Sequence, residues 1–310
     1  GTLRHLGKPK EALAIYDRLV REFPKEFASW NNRALHKLET GDPTGALADL
    51  AEGAKRNPKH PALFENRGLV KKALRDYRGA LKDLTRAIER DPSRPEPHAA
   101  RGNILRAWGR YREALPDFTR AVELAPHDAL HWSNRGLCYM QLRRFAEGRA
   151  DLAKATAMNP RFQAAWANRG LLEQLAGDVK AAERVLDEGL EKADGKAHLL
   201  MYRAQVYLHT KRPQQALRDL LAAVAADPKK GQGRLPPGVP LLLAEAYRRT
   251  GKPAEAIAAL RRGMKEGQLL RSMARAVTKE FGQAYADKAS ALLLKGKPKS
   301  ARASFGLPFS

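Results

Sequence analysis

The sequence predicts an all-α fold, an array of about eight antiparallel helix pairs that repeat every 34 residues. One observation is a short phrase built around arginine, which recurs at that spacing at Arg33, Arg67, Arg101, Arg135, Arg169 and Arg203. Another is a proline with the same period, found at Pro24, Pro58, Pro92, Pro126, Pro160 and Pro228. A strict period of this length indicates stacked units, each of which buries apolar surface only against its neighbours.

The residue pattern of each unit predicts two helices, as residues 61–94 illustrate. Apolar residues at spacings of three and four lie on one stripe of a first helix. After a break near Arg75 and Asp76, a second stripe predicts a second helix. Pro92 ends that helix, because proline cannot continue a helix and restricts the residue before it.

This pattern resembles the tetratricopeptide repeat, and the resemblance covers nearly the whole chain. The family's aromatic, small and apolar positions are matched within residues 129–162 by Trp132, Gly136, Tyr139, Phe145, Leu152, Ala155 and Pro160. The resemblance implies a right-handed superhelical solenoid. It also implies that the first helix of each pair lines a concave side where ligands bind.

The period divides the chain into an array over residues 1–267 and a terminal region. The array contains a half repeat at 1–26, six repeats in register over 27–230, a loop at 229–236 and an eighth repeat at 237–267. An extra basic amphipathic helix follows at 268–281, and a partial repeat at 282–310. The chain begins partway through a repeat and shows no polar capping helix. We therefore expect the native protein to continue beyond one or both ends, or a partner to cover them.

Composition raises the possibility of an anionic partner and excludes a disulfide framework. The formal net charge is +23, from 57 basic and 34 acidic residues, and the excess is concentrated after residue 196. The one cysteine, Cys138, excludes a disulfide framework. No apolar run approaches the roughly 20 residues that span a bilayer, so we expect a protein of the cytoplasm or an organelle matrix.

The repeated arginine predicts an ion pair between the two helices of a unit. An aspartate follows 16 residues later in five of the six units, at Asp49, Asp83, Asp117, Asp151 and Asp219. In a hairpin that turns near its fifteenth residue, these two positions lie side by side. Pairing with an aspartate of the preceding unit fits the counts equally well, and a ligand-facing role for the arginines is the functional alternative.

The first helices also present a row of asparagines and leucines. In some members of the family, asparagines in this place hold the backbone of an extended peptide, and an amide is suited to this because it both donates and accepts hydrogen bonds. The candidate peptide-binding residues are Asn32, Asn66, Asn103, Asn134, Asn168, Leu69, Leu137 and Leu171. The alternative is that the asparagines only join adjacent first helices.

A basic patch near the C-terminus is the second candidate site. Few of its residues have acidic neighbours in the sequence. They are Arg248, Arg249, Arg261, Arg262, Lys265, Arg271, Arg275 and Lys279. The patch is suited to RNA, DNA, an acidic protein or an anionic surface, and a simple solvated face is the alternative.

The sequence contains no catalytic or cofactor motif. It has no phosphate-binding glycine loop and no nucleophile elbow, and the pair His127 and His131 suggests no third metal ligand. We therefore predict a non-enzymatic scaffold, without metal or cofactor, that binds an extended and acidic peptide segment of a partner protein. The alternatives are a nucleic-acid-binding component that docks through the basic patch, and the interaction arm of a larger signalling protein or enzyme.

Overall fold

The computed structural model describes residues 9–226, 238–252, 254–256 and 258–259. In these residues all regular structure is helical. The first nine helices are α1 Pro9–Glu22, α2 Phe27–Glu39, α3 Pro43–Arg56, α4 Pro61–Ala73, α5 Tyr77–Arg90, α6 Pro95–Ala107, α7 Tyr111–Leu124, α8 Ala129–Gln141 and α9 Phe145–Met158. The others are α10 Gln163–Leu175, α11 Val179–Lys192, α12 Ala197–His209, α13 Pro213–Ala225 and α14 Val239–Arg249.

The chain divides into two compact units, one ending at Met158 and one beginning at Asn159. In the first unit, α2 packs on α3, α4 on α5, α6 on α7 and α8 on α9. In the second, α10 packs on α11 and α12 on α13. Every one of these pairs falls within one 34-residue repeat. The predicted all-α fold of antiparallel helix pairs is confirmed.

Glycine allows the two helices of a pair to approach closely. A Cβ atom at Gly136 of α8 would lie 2.8 Å from Cγ of Leu152 and 3.3 Å from the carbonyl oxygen of Gly148, both on α9. Gly68, Gly102 and Gly170 stand at the same place in their repeats and face Leu84, Phe118 and Leu186. These larger residues are fully buried, so the small residue and its partner form the centre of each pair.

The repeated proline both ends a helix and anchors the next one. The indole N–H of Trp30 donates to the carbonyl oxygen of Pro24 at 3.0 Å. Trp132 and Trp166 make the same bond to the prolines six residues before them, at 2.8 Å in both cases. A proline keeps its carbonyl acceptor although it has lost its N–H, so the tryptophan fixes the start of the next first helix.

In the turn between the two helices, the fifteenth residue of each described repeat lies in the left-handed region of backbone conformation. Glycine occupies this position at residues 41, 109, 177 and 251, with φ of 89°, 73°, 90° and 73°. Arg75, Arg143 and Lys211 occupy it in the alternate repeats, with φ of 62°, 61° and 57°. A side chain is disfavoured there because its Cβ crowds the following carbonyl oxygen.

Several predicted boundaries lie outside the described residues. This applies to the loop at 229–236, the basic helix at 268–281 and the partial repeat at 282–310. The described part of the predicted eighth repeat contains α14 and a second helical segment at 254–256 and 258–259. No helix of the described residues is long and apolar enough to cross a membrane.

The left-handed turns generate a stability prediction. We expect Arg75→Gly to raise the free energy of unfolding by about 0.5–1 kcal/mol, because glycine adopts this conformation without a Cβ clash. Gly109→Ala should lower it by about 1 kcal/mol for the converse reason. Urea unfolding followed by circular dichroism measures both. A loss of stability in Arg75→Gly would contradict the assignment of strain to this residue.

Candidate functional site

The arginine of each repeat forms a two-pronged ion pair with its own aspartate. In all five repeats that contain both residues, Nε and Nη2 of the arginine donate to the two carboxylate oxygens at 2.6–2.9 Å. The five aspartates are buried. The predicted pair between the two helices of one repeat is therefore confirmed.

Three of the arginines use their remaining nitrogen to reach the preceding repeat. Nη1 of Arg33 donates to Asp17 at 2.9 Å, and Nη1 of Arg203 donates to Asp187 at 2.6 Å. Arg101 makes the equivalent bond to the hydroxyl of Thr85 at 3.0 Å. In these repeats one guanidinium ties its own helix pair to the second helix of the pair before it, which makes the ion pair part of the stacking.

The remaining repeat arginine, Arg169, has no aspartate 16 residues later, because Val185 occupies that position. Arg169 packs on the indole of Trp166, with 5.6 Å between Cζ and the ring centroid. Glu173, one helical turn after Arg169 on α10, is buried. In this repeat the buried acidic residue is therefore on the first helix, whereas the five paired aspartates are on second helices.

The pKa of Asp83 shows how strongly the pair favours the charged form. Burial of this carboxyl opposes ionisation, but hydrogen bonds from Arg67 and Lys71 outweigh it and lower the pKa below its ordinary value. The Lys71 Nζ lies 2.7 Å from the carboxylate. The arginines are thereby held as internal structural groups, which favours the structural reading of the row over the ligand-facing one.

The predicted peptide-binding residues differ in how accessible they are. Asn32 is exposed, whereas Asn103, Asn168 and the three leucines are half-buried. Asn66 and Asn134 are each only 7% exposed. In the first unit the structure places Asn32, Asn66, Asn103, Asn134, Leu69 and Leu137 on the successive first helices α2, α4, α6 and α8, and in the second unit it places Asn168 and Leu171 on α10.

The asparagines do not all have the same hydrogen bonds. The side-chain amide of Asn66 donates to Oδ1 of Asn31 on the preceding first helix at 2.6 Å. Oδ1 of Asn103 accepts from Arg106 at 3.3 Å. The amide of Asn134 makes no hydrogen bond within the described part of the chain. Sequence reasoning missed Asn31, although its 35-residue separation from Asn66 is the spacing expected between neighbouring first helices.

A buried acid lies beside this row. Glu65 precedes Asn66 on α4, and its carboxylate is 2.7 Å from Nη1 of Arg94. Burial raises the pKa of Glu65 above its ordinary value, although the Arg94 charge opposes the shift. The exposed charged residues of the first helices in the first unit are Glu39, Lys72 and Glu96. The exposed charged residues of these helices therefore carry no basic excess.

The basic patch is described only at its beginning. Few of its residues were expected to have acidic neighbours, and Arg248 and Arg249 are two that do, because both bind Glu245, at 2.7 and 2.5 Å. Hydrogen bonds from Arg248 and Arg249 lower the pKa of Glu245 to about 2, although burial of the carboxyl acts in the opposite direction. The remaining residues of the patch lie outside the described part, namely Arg261, Arg262, Lys265, Arg271, Arg275 and Lys279.

The described residues offer little that would support covalent or metal chemistry. Among them no group of three or more histidine, cysteine, aspartate or glutamate side chains is arranged to hold a metal ion. Cys138 is fully buried, and burial raises the pKa of its thiol to about 12. A thiol with this pKa is neutral at physiological pH, so Cys138 packs as a small apolar residue.

Breaking one ion pair should be costly, and removing both partners should not. We expect Arg135→Leu to lower the free energy of unfolding by about 2–4 kcal/mol, because it leaves Asp151 buried without a counter-charge. Arg135→Leu combined with Asp151→Ala should recover most of that loss. Chemical denaturation of the two single variants and the double variant measures the coupling.

The matched control for this cycle is Arg144→Leu in the same repeat. Arg144 pairs with Glu147 on the surface at 2.7 Å, so its removal should change stability by less than about 0.5 kcal/mol. Equal losses in Arg135→Leu and Arg144→Leu would contradict a special role for the buried pair.

The lowered pKa of Asp83 predicts a dependence on pH. Asp83 ionises more easily in the folded chain than in the unfolded chain, so its contribution is complete above about pH 4 and is lost as the pH falls through the folded-state pKa. Asp83→Asn should be less stable than the wild type at pH 7, and the difference should shrink in acid. Urea midpoints measured between neutral and strongly acidic pH test this. A constant difference over that range would contradict it.

Comparison with known structures agrees with the helix-pair architecture. A tetratricopeptide repeat protein from Parabacteroides merdae superposes with a TM-score of 0.61 at 17% identity, over 79% of this chain and 94% of that one. The Cut9–Hcn1 hetero-tetramer of APC/C gives a TM-score of 0.63 at 16% identity, over 90% of this chain and 54% of that one. YrrB, a tetratricopeptide repeat protein with an unusual peptide-binding site, gives 0.51 at 19% identity, over 64% and 97%.

Sequence comparison leads to the same family. Comparison with curated protein sequences finds no match. The family profile for the tetratricopeptide repeat, in contrast, matches residues 2–61, 99–160, 139–197 and 176–230, which together make up more than half of the chain. Proteins of this family are generally non-enzymatic scaffolds for protein interactions, as the sequence predicted. The chain belongs to the tetratricopeptide repeat family.

Proposed function

We propose that this chain is a scaffold that binds an extended peptide segment of a partner protein on the surface formed by its first helices. The observation that carries the proposal is the row of asparagines on α2, α4, α6 and α8 of the first unit, joined by the half-buried Leu69 on α4 and Leu137 on α8. An amide can bond a peptide backbone whatever its sequence, and the leucines add apolar contact for side chains.

Asn134 is the asparagine best suited to this role. It has no hydrogen-bond partner among the described residues, whereas the amide group of Asn66 is already directed to Asn31. Leu137 lies one turn further on α8, and Leu130, one turn before Asn134, is 48% exposed. A backbone amide of the ligand would satisfy Asn134, while apolar ligand side chains would cover the two leucines. We propose this part of α8 as the centre of the site.

The net charge of +23 supports an acidic partner, but the first helices of the first unit do not supply that charge. We therefore propose that the surface of the first helices, here called the groove, accepts a segment with both polar and apolar residues. Acidic parts of the partner would contact other surfaces. YrrB, which has a similar fold, has a peptide-binding site, and this agrees with a peptide ligand here. The cytoplasm or an organelle matrix is the proposed location.

A double substitution on α8 tests the proposal. Short random peptides displayed on phage would be selected on the full wild-type chain and then measured against Asn134→Ala/Leu137→Ala. We expect the selected peptides to bind this variant about tenfold more weakly or worse, because both the backbone bond and the apolar contact are lost. Melting followed by circular dichroism verifies that the variant remains folded.

The matched control is Lys25→Ala/Lys59→Ala, two exposed residues in loops of the same unit. It should retain wild-type affinity. Two results would overturn the proposal: a selection that enriches no peptide, or enriched peptides that bind the α8 variant as well as they bind the control.

A further inference from the structure

The second helix α5 carries an uninterrupted row of exposed cations. Arg78, Lys82, Arg86 and Arg90 follow one another at intervals of four residues, and all four are exposed. Residues at this spacing lie on one side of a helix, about 6 Å apart along its axis, so the row is about 18 Å long. Three of its members are arginines, whose planar guanidinium groups bind carboxylates with two hydrogen bonds.

These cations are not used within the described structure. None of them has an ion pair or hydrogen bond to another described residue, and Arg86 makes only a long contact with the Phe64 ring, 6.0 Å from its centroid. Two nearby acidic residues, Asp83 and Asp76, already bind other groups of the chain. Asp83 is buried and bound by Arg67 and Lys71, and Asp76 caps the N-terminus of α5 through the Gly79 amide at 2.9 Å. Of the described acids on α5, Glu89 is the exposed one.

The arrangement is unfavourable for α5 on its own. Like charges four residues apart repel along a helix, and the row contains three such pairs in succession. Arg78 also lies in the first turn of α5, where the helix dipole disfavours a cation and where this helix has no acidic residue. An anionic partner would relieve both effects, so the row is more consistent with a binding surface than with a solvated face.

The neighbouring second helices show that the row is particular to this part of the chain. On α7, Arg112 and Arg120 occupy two of the corresponding positions, and Arg120 is paired with Glu123 at 3.0 Å. On α3, one of the corresponding positions is Glu52, which is engaged by Lys55 and Arg56. A row of four exposed cations at this spacing is therefore present on α5 and on neither of these two neighbouring helices.

We propose that α5 is a docking surface for an acidic helical segment of a partner protein. Carboxylates at every fourth residue of a helix also recur at about 6 Å, so they would match the four cations in register. An extended strand, whose alternate residues recur at a somewhat longer spacing, would drift out of register. The ring that Arg86 contacts, Phe64, is buried and cannot stack on bases, which disfavours single-stranded nucleic acid at this point of the row.

This inference concerns a different surface from the groove and does not depend on peptide binding there. The test uses the full chain and a synthetic helical peptide with four glutamates at four-residue spacing. A control peptide of equal charge has the glutamates scattered around the helix. Fluorescence anisotropy at about 50 and about 200 mM salt measures affinity. We expect the ordered peptide to bind about tenfold more tightly than the scattered one.

The decisive variant is Arg78→Gln/Lys82→Gln/Arg86→Gln/Arg90→Gln. It should bind the ordered peptide about tenfold more weakly than the wild type. Its melting temperature should equal or exceed that of the wild type, because the repulsion along α5 is gone. The matched control, Lys10→Gln/Arg21→Gln/Lys25→Gln/Lys59→Gln, removes the same charge from exposed positions of the same unit and should bind within about twofold of the wild type.

Three results would overturn the proposal. Equal weakening by the two quadruple variants would show that only net charge matters. Equal binding of the ordered and scattered peptides would exclude the register argument. Tighter binding of a single-stranded or duplex oligonucleotide than of the ordered peptide, lost in the α5 variant, would assign the row to nucleic acid instead. Peptide binding in the α8 variant Asn134→Ala/Leu137→Ala should be unaffected, which separates this surface from the groove.

Discussion

The buried arginine–aspartate pair is the constraint on which the helix pairs of this chain depend. Each pair joins the middle of a first helix to the middle of the second, beside a glycine or alanine that lets the two helices approach closely. A buried aspartate without its arginine would be an uncompensated charge, so each half of the pair requires the other. In three repeats the same guanidinium also reaches the preceding second helix, at Asp17, Thr85 and Asp187. The interaction that closes a repeat therefore also helps to fix its stacking on the repeat before it.

Most of the fold could be predicted because the same sequence features recur from repeat to repeat. The proline beat, the small residue and the 16-residue separation of arginine and aspartate each recur, so chance matches are averaged out, and the ion pair followed from geometry alone. The left-handed turn was less predictable. Glycine indicates this turn in four of the seven described repeats. Arg75, Arg143 and Lys211 do not, because the rest of the hairpin imposes a conformation that these residues disfavour.

The candidate sites were harder to predict than the fold, because accessibility and pairing depend on neighbours that are distant in sequence. Asn66 looked equivalent to Asn134 in the sequence, but only Asn66 has Asn31 opposite it. Arg248 and Arg249 were assigned to a patch with few acidic neighbours, although Glu245 lies three and four residues away and binds both. The row on α5 was missed for another reason. Its spacing of four was visible in the sequence, but the excess of charge at the C-terminal end was the larger signal, and the buried stripe was the more obvious feature of this repeat.

Charge and apolar surface are separated between the two helices of a repeat, and this separation bears on how a partner would be recognised. The first helices of the first unit offer asparagine and leucine with few free charges, whereas α5 offers arginine and lysine with little apolar surface. A groove of the first kind gains affinity from contact and backbone bonding, which depend weakly on salt. A row of the second kind gains mainly in association rate and partner choice, and it weakens as salt rises. One partner that carried both an extended segment and an acidic helix would be bound at two places, and linking them would raise its affinity without any further contact. The same scaffold could then discriminate against partners that carry only one of the two.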